Sequence, residues 1–197
     1  MIVITDRDKE IKEYLEDVEV ADTKTIHEIF FTGTCIRNCQ KRLKQLTNIR
    51  FIKSYRQDTI SQNIYYVKNK PKNWKHKIVF SQLLGVLHQK GIEVLKYRTP
   101  FIIDTGANKV ISDGLIITRV NEQVDIFFIE VELTKKPNYK KYEDLYYSRR
   151  YLEKFPVMPT ILVITDKRIN TNHKVLNIKS CKLNFSNLDI STKEKAL

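Results

Sequence analysis

The segment TCIRNCQKRLKQL, residues 34–46, indicates most directly how this 197-residue chain is organised. Its apolar residues recur at the three- and four-residue spacing of one helix face, which predicts a helix with a single buried stripe. The stripe consists of Ile36, Cys39, Leu43 and Leu46. The other face is basic and rich in amides, and such side chains hydrogen-bond base edges and phosphates when a helix enters a DNA major groove. The predicted DNA-binding residues of this helix are Arg37, Asn38, Gln40, Lys41, Lys44 and Gln45.

Two further helices are predicted before this segment. The apolar residues within residues 7–17 and within residues 23–31 each fall on one helix face. Asp22 is a suitable N-cap residue for the second of these helices, and a turn is expected at Gly33. The segment 34–46 is therefore predicted to be the third helix of a small helical domain.

Two β-rich runs follow the third helix. The runs RFIKSYR, residues 50–56, and QNIYYVK, residues 62–68, alternate apolar with polar residues, which predicts a hairpin. Three helices followed by a hairpin are typical of a winged helix-turn-helix, in which the third helix is the recognition helix. We therefore expect a winged helix-turn-helix DNA-binding domain over residues 1–70. Its hairpin is expected to place four basic residues near the phosphate backbone, namely Arg50, Lys53, Arg56 and Lys68.

The charge of the chain changes sign near the third helix. The whole sequence has a formal net charge of +12. Residues 1–30 contain nine acidic and four basic residues, whereas residues 31–70 contain nine basic residues and one acidic residue. A general bias towards lysine would not produce such a local reversal. The pattern indicates that an anionic partner, double-stranded DNA, binds residues 31–70.

The second part of the chain is predicted to be an α/β domain. Apolar residues at helical spacing over residues 73–90 predict a helix that ends at Gly91. We expect residues 71–90 to connect the two domains and to belong to the second. Three strands, a tyrosine-rich helix and a buried strand follow, which gives the order αβββαβ. The nuclease-like domain is expected to cover residues 91–197, with a turn around residues 104–108 and a C-terminal tail.

Three carboxylates of this domain are predicted to converge. If two neighbouring strands pair about a two-residue turn at residues 121–122, Asp113 lies opposite Glu130. Glu132 then lies on the same face, two residues further along. Ionised carboxylates this close together repel unless a cation compensates them. Mg²⁺ binds such oxygen clusters and activates water for phosphodiester cleavage, so Asp113 and Glu130 are the predicted metal ligands if the domain is active.

Two short motifs carry a family resemblance. Ser112-Asp113-Gly114, followed one strand later by Glu130-Val131-Glu132, resembles the PD-(D/E)xK core of restriction-endonuclease-like folds. A winged helix followed by such a core is similar to the replication-relaxation family of bacterial plasmids, phages and conjugative elements. The matching pieces, in the family order, are RNCQKRLKQL, SDGLI, FFIEVELTKK, YKKYEDLYY and PTILVITD. The resemblance implies a DNA-binding protein that acts in replication, transfer or their control.

The sequence departs from the nuclease pattern at two points. The lysine expected two residues after the second acid is replaced by Glu132, so only Lys135 or Lys136 is placed to reach the site. The helix of residues 73–90 also lacks the glutamate that many such nucleases supply from this position. We therefore expect a degenerate nuclease-like domain whose acids pair with Lys135, Lys136 or Arg149. The catalytic residues of an active domain would be Asp113, Glu130, Glu132 and Lys135.

Two alternatives to a non-enzymatic replication or transfer protein stay open. One is an active Mg²⁺-dependent endonuclease. The other is a transcriptional regulator whose second domain dimerises or binds a partner protein. DNA binding itself requires no cofactor in any of these cases. The expected partners are double-stranded DNA, a second copy of the chain, and replication or transfer proteins of the same element.

Other classes of protein are not indicated. No run approaches the about 18 consecutive apolar residues of a membrane span, and the N-terminus lacks the features of a signal peptide, so a cytoplasmic protein is expected. The absence of a glycine-rich phosphate loop excludes a P-loop ATPase or a dinucleotide-binding fold on motif grounds. Three cysteines and four scattered histidines indicate neither a disulfide framework nor a zinc site.

Overall fold

The computed structural model describes residues 2–104 and 109–190 and has a mixed α+β fold. The chain divides into two compact units, Met1–Gly91 and Ile92–Leu197, called unit 1 and unit 2 below. Most of the turn predicted at residues 104–108 and the predicted C-terminal tail lie outside the described residues. In the parts of the chain that the structure describes, no helix has the length and apolar character needed to cross a membrane.

The described residues of unit 1 form four helices and a small three-stranded antiparallel sheet. Its elements are α1 (Asp6–Val18), β1 (Ala21–Asp22), α2 (Thr23–Phe30), α3 (Ile36–Asn48), β2 (Lys53–Tyr55), β3 (Ile64–Tyr66) and α4 (Trp74–Gln89). The strand order is β1-β3-β2, so the two-residue strand β1 pairs with the hairpin that follows α3. The predictions of three helices and a hairpin in this region are confirmed.

Local capping explains where the first helices begin. Thr5 and Asp8 form a capping box at the start of α1, in which each side chain bonds the other residue's backbone N–H. The predicted N-cap of α2 is also present, because the Asp22 side chain accepts a hydrogen bond from the Thr25 backbone N–H at 2.7 Å. Apolar side chains then form the core of the unit, including fully buried Leu15 and Leu43.

The helix α4 was predicted to belong to the second domain, and this prediction is wrong. The structure groups α4 with unit 1, where it bonds to the first helix and the start of the second. Tyr14 Oη donates to the Ser81 backbone carbonyl at 3.3 Å, and Gln82 Nε2 donates to Asp22 Oδ2 at 2.7 Å. The apolar residues of α4 therefore complete the core formed by the preceding helices. The periodicity of α4 predicts that it has a buried face but does not specify which domain that face packs against.

The close approach of α2 and α4 depends on a glycine. Gly85 of α4 lies against α2, and a Cβ at this position would stand 2.7 Å from Glu28 Oε2 and 3.3 Å from Thr25 Cγ2. Glu28 is buried in this contact. Any side chain at position 85 would displace α2 or the Glu28 carboxylate.

Within residues 92–104 and 109–190, unit 2 forms a five-stranded mixed sheet and a separate two-stranded ribbon. Its elements are β4 (Glu93–Arg98), β5 (Phe101–Asp104), β6 (Lys109–Ser112), β7 (Gly114–Val120), β8 (Gln123–Val131), α5 (Lys140–Ser148), a short 3-10 helix (Arg150–Glu153), β9 (Thr160–Ile164) and β10 (Ile178–Cys181). The sheet order is β10-β9-β8-β7-β4, and β5 pairs with β6. β4, β7 and β8 are antiparallel, whereas β8, β9 and β10 are parallel.

The strand order of this unit differs from the predicted αβββαβ. The leading helix belongs to unit 1, and the predicted strand VISDGLIIT is broken at Asp113. The residues before the break pair with β5, whereas those after it pair with β4 and β8. Ser112-Asp113-Gly114 interrupts two apolar runs, but the hydrophobic pattern does not specify that the strands on either side of it pair in different sheets.

An aromatic cluster packs α5 against one face of the sheet. Phe128 of β8 lies between Phe101, Tyr142 and Phe155, with ring centroids 5.5 to 5.9 Å apart. Tyr142 is fully buried although its phenol oxygen is polar. Its hydroxyl therefore requires a partner inside the unit, and that partner is one of the predicted site residues.

Candidate functional site

The exposed side of α3 carries most of the predicted DNA-binding residues. This surface, called the basic face below, consists of Arg37, Asn38, Gln40, Lys41 and Lys44. All five side chains are exposed, and no ion pair with a described residue neutralises the three cations. The opposite side of the helix is buried through Cys39, Leu43 and Leu46, as its spacing predicts.

Two residues of α3 differ from the prediction. Ile36, predicted to lie in the buried stripe, is 40% exposed because it stands in the first turn, beyond the reach of the core. Gln45, predicted to contact DNA, is half-buried, and its Oε1 accepts a hydrogen bond from Arg42 Nη1 at 3.1 Å. The exposed row of α3 therefore gains an apolar residue and loses one amide.

Arg42 holds α3 against α1. Its Nε donates to Asp8 Oδ1 at 2.9 Å, and its Nη2 donates to Asp8 Oδ2 and to the Val3 carbonyl. Asp8 is 1% exposed, so this is a buried carboxylate neutralised by a bidentate guanidinium. Arg42 is not among the residues predicted for the site, although it is the basic residue of α3 nearest to the apolar stripe.

The basic residues of the hairpin region have different surroundings. Arg50 and Lys68 are exposed, whereas Lys53 Nζ donates to the Lys68 carbonyl at 2.6 Å. Arg56 donates to the carbonyls of Thr59 and Ser61. Lys53 and Arg56 thus hold the hairpin together, and their charge remains at the surface.

The loop between β2 and β3 is closed by an aspartate. The Asp58 carboxylate accepts hydrogen bonds from the backbone N–H of Ile60 and of Ser61 and from the Ser61 hydroxyl, at 2.6 to 2.9 Å. The bonds from Ser61, above all, lower the pKa of Asp58 below its usual value. The loop therefore has a defined shape, with Ile60 at its exposed tip.

A groove of about 610 Å³ runs between α3 and the hairpin. One row of α3 lines it, formed by Ile36, Gln40 and Lys44 at successive four-residue spacings. The hairpin supplies the facing wall, which includes Arg56 and Ser61. Both predicted DNA-binding elements of unit 1 thus border the same polar, positively charged cleft.

The register predicted for the carboxylate cluster of unit 2 is confirmed. Val120 pairs with Gln123, and the pairing continues without a shift to Gly114 and Ile129. The two turn residues between the strands both have positive φ, 47° and 66°, as a two-residue hairpin turn of this kind requires. Extending the register by one residue places Asp113 opposite Glu130.

Hydrogen bonds hold Asp113 and Glu130 in place. Asp113 Oδ2 accepts from the Val131 backbone N–H at 2.8 Å, just beyond Glu130 in the chain. Glu130 is buried, and its Oε1 accepts from Lys141 Nζ at 2.8 Å and from the Tyr142 hydroxyl. Burial, first of all, raises the pKa of Glu130, the charge of Asp113 adds to the increase, and the bonds from Lys141 and Tyr142 oppose it.

The cation at this cluster is Lys141. Lys135 and Lys136, predicted to reach back to the acids, are exposed and form no ion pair with another described residue. Lys141 instead pairs with Glu130 and also donates to the Ile111 carbonyl at 2.6 Å. The first turn of α5 delivers this lysine to the sheet, which sequence spacing from the acids does not reveal.

Glu132 stands just after the last residue of β8. Its backbone N–H donates to the Ile164 carbonyl at 3.0 Å, and its carbonyl accepts from the Thr165 hydroxyl at 2.8 Å. The Tyr139 side chain lies near Glu132 and Glu130. Burial and then these two negative charges raise the pKa of Tyr139 above its usual value.

The donor set of the cluster does not fit a resident magnesium ion. Among the described residues, no group of three or more His, Cys, Asp and Glu side chains is arranged to hold a metal. Glu130 Oε1 already accepts hydrogen bonds from the Lys141 ammonium group, whose charge repels a cation, and from the Tyr142 hydroxyl. We therefore derive no metal-dependent step at Asp113, Glu130 and Glu132.

Comparison of this chain with family models, with curated proteins and with solved structures finds no match. The replication-relaxation resemblance accordingly stays a prediction from the sequence motifs.

Proposed function

We propose that this chain is a double-stranded-DNA-binding protein in which unit 1 is a winged helix-turn-helix and α3 is its recognition helix. The observation that carries the proposal is the groove between α3 and the hairpin, because its two walls hold Gln40 and Lys44 of the basic face and the hairpin arginine Arg56. A duplex placed there would meet cations from two elements at once. Phosphate contacts of this kind supply most of the affinity of DNA-binding proteins.

The order of elements in unit 1 supports the proposal. Helix α1 and the short strand β1 precede the pair α2 and α3, and the hairpin β2–β3 follows and pairs with β1. A helix pair followed by a hairpin is the arrangement in which the second helix of the pair enters the major groove. In this arrangement the hairpin lies beside the same stretch of duplex as α3.

The distribution of charge supports it as well. The nine basic residues of the segment 31–70 fall on α3, the hairpin and their flanks, whereas five of the acidic residues of α1 are exposed on a different helix. Arg42 is an exception among these basic residues, because its side chain points inward and does not contribute to the exposed basic surface. Its pairing with Asp8 sets the position of α3, and the remaining cations of α3 stay exposed.

For unit 2 we propose a nuclease-like scaffold that supports assembly or DNA processing, as in the mobile-element family that the motifs resemble. The ion pair between Lys141 and Glu130 neutralises an acid that a nuclease would use for metal binding. The proposed role in replication, transfer or their control rests on the motif resemblance.

The decisive experiment for DNA binding replaces Arg37, Lys41 and Lys44 together with alanine. We expect the triple variant to bind a fluorescent 30-base-pair duplex at least tenfold more weakly at low salt, with a shallower dependence of affinity on salt. The matched control replaces three exposed lysines of unit 2, Lys154, Lys174 and Lys182, which removes the same net charge. Equal losses in both variants, or unchanged affinity in the first, would refute α3 as the recognition helix.

A further inference from the structure

The row of α3 that faces the groove has an ordered chemical composition. Ile36, Gln40 and Lys44 follow one another at four-residue spacing, so an apolar side chain, an amide and a cation stand one above the other. Ile36 is in the first turn of α3 and Lys44 in the third. The apolar and amide members are therefore at the end of the helix that meets base edges in helix-turn-helix complexes.

Ile36 is unusual in this row. It is 40% exposed in a polar groove, although a helix with this periodicity would bury it. An isoleucine side chain has neither a charge nor a hydrogen-bonding group, so it cannot bind a phosphate. The group in the major groove that an apolar side chain recognises is the 5-methyl group of thymine.

Gln40 complements this contact. A glutamine side chain donates to N7 and accepts from the N6 amino group of one adenine, and both groups lie in the major groove. Every A·T pair presents the adenine edge and the thymine methyl group side by side. Lys44, one turn further along the same row, remains for a phosphate.

We propose that α3 reads A·T-containing steps of double-stranded DNA, with Ile36 packing on a thymine methyl group and Gln40 pairing with adenine. The proposal rests on the DNA-binding function proposed above and specifies its ligand. Affinity then depends on the cations of the basic face, whereas the choice of sequence depends on Ile36 and Gln40.

The test compares three 20-base-pair duplexes, namely alternating d(AT), the same duplex with uracil in place of thymine, and alternating d(GC). Uracil removes only the methyl group. We expect the wild-type protein to bind the thymine duplex about fourfold more tightly than the uracil duplex, which is the effect of burying one methyl-sized group. Ile36→Ala should bind the two duplexes equally. Gln40→Ala should lose most of an about tenfold preference for d(AT) over d(GC).

The control is Ile49→Ala. Ile49 is the C-cap residue that follows α3, is 44% exposed and does not line the groove, so its truncation should leave the ratio of thymine-duplex to uracil-duplex affinity unchanged. Circular dichroism of each variant checks that unit 1 is folded.

The outcomes separate this inference from the proposed function. Equal wild-type affinity for the thymine and uracil duplexes, or an Ile36→Ala variant that weakens both by the same factor, overturns the reading of A·T steps while DNA binding stands. Tighter binding of an RNA duplex of the same sequence also overturns it, because RNA lacks the methyl group and its major groove does not admit a helix. Failure to bind any of the duplexes at low salt refutes the proposed function itself.

Discussion

Arg42 of α3 bonds both carboxylate oxygens of Asp8, a residue of α1 that is 1% exposed. A helix whose outward face is rich in cations thus uses one inward arginine to fix its position. The pair is buried on the carboxylate side and half-buried on the guanidinium side. Replacing either Arg42 or Asp8 should therefore lower the free energy of unfolding more than replacing an exposed basic residue of α3.

Arg42→Ala should destabilise unit 1 by about 3 kcal/mol, because it leaves the Asp8 carboxylate buried without its cation. Trp74 is the single tryptophan of the chain and lies in unit 1, so urea unfolding followed by its fluorescence reports this unit. Lys44→Ala, an exposed position on the same helix, should change the free energy of unfolding by less than about 0.5 kcal/mol. Similar losses for both variants would contradict the buried-pair interpretation.

The same pair predicts a dependence of stability on pH. Burial alone would raise the pKa of Asp8, but the bonds from Arg42 and Thr5 outweigh it and hold the pKa below its usual value. In acid the unfolded state then binds more protons than the folded state. The stability that the Asp8–Arg42 pair contributes is therefore fully present above the usual aspartate pKa and is lost as the pH falls through the pKa of Asp8 in the folded state. Unfolding of wild type and Asp8→Asn between pH 7 and pH 3 should show the two curves converging in acid.

Glu28 should make stability depend on pH in the opposite direction from Asp8. Burial raises its pKa, Lys24 opposes this, and its Oε1 atom has no hydrogen-bond partner among the described residues. The folded state then holds the proton more tightly, so the free energy of unfolding should rise as the pH falls through the folded pKa towards the usual glutamate pKa. Glu28→Gln should raise the free energy of unfolding at pH 7 by about 1 kcal/mol and flatten its slope with pH. A steeper slope in the variant would show that Glu28 is stabilised as a carboxylate.

Neighbouring lysines of α5 provide a matched pair for unit 2. Lys141→Ala should cost about 3 kcal/mol because Glu130 is buried, whereas Lys140→Ala should cost less than about 0.5 kcal/mol because Lys140 and its nearest partner, Asp144, are exposed. Hydrogen exchange of the β8 amides measures the stability of this unit separately from that of unit 1. Equal protection in the two variants would show that Lys141 does not neutralise Glu130.

Supercoiled plasmid tests the endonuclease alternative. With Glu130 bonded by Lys141 and Tyr142, we expect no nicking by the wild-type protein in Mg²⁺ or Mn²⁺ above that of Asp113→Ala. Metal-dependent nicking by the wild type that disappears in Asp113→Ala would establish catalysis and contradict our assignment of the cluster.

Local interactions made much of this protein predictable. The helices of unit 1 follow from apolar spacing and from N-caps such as Asp22, because both act within one or two turns of chain. The pairing of Asp113 with Glu130 was predictable for a related reason. The two-residue turn and the alternation of side chains between the two faces of a strand together allow only one register for the hairpin. The burial pattern of α3 likewise follows from the sequence, apart from the exposure of Ile36 and the partial burial of Gln45.

The amino-acid sequence by itself therefore determined most of the helices and strands, the hairpin register and the location of the positive charge. Only the tertiary structure decided which elements meet: α4 completes unit 1, Arg42 turns inward to Asp8, and Lys141 rather than Lys135 reaches Glu130. These contacts are made between residues that are far apart in the chain, or between a sheet and a residue that the first turn of a helix places beside it. They are set by competition among packing arrangements and by the cost of leaving a buried carboxylate without a cation, neither of which is visible in local periodicity.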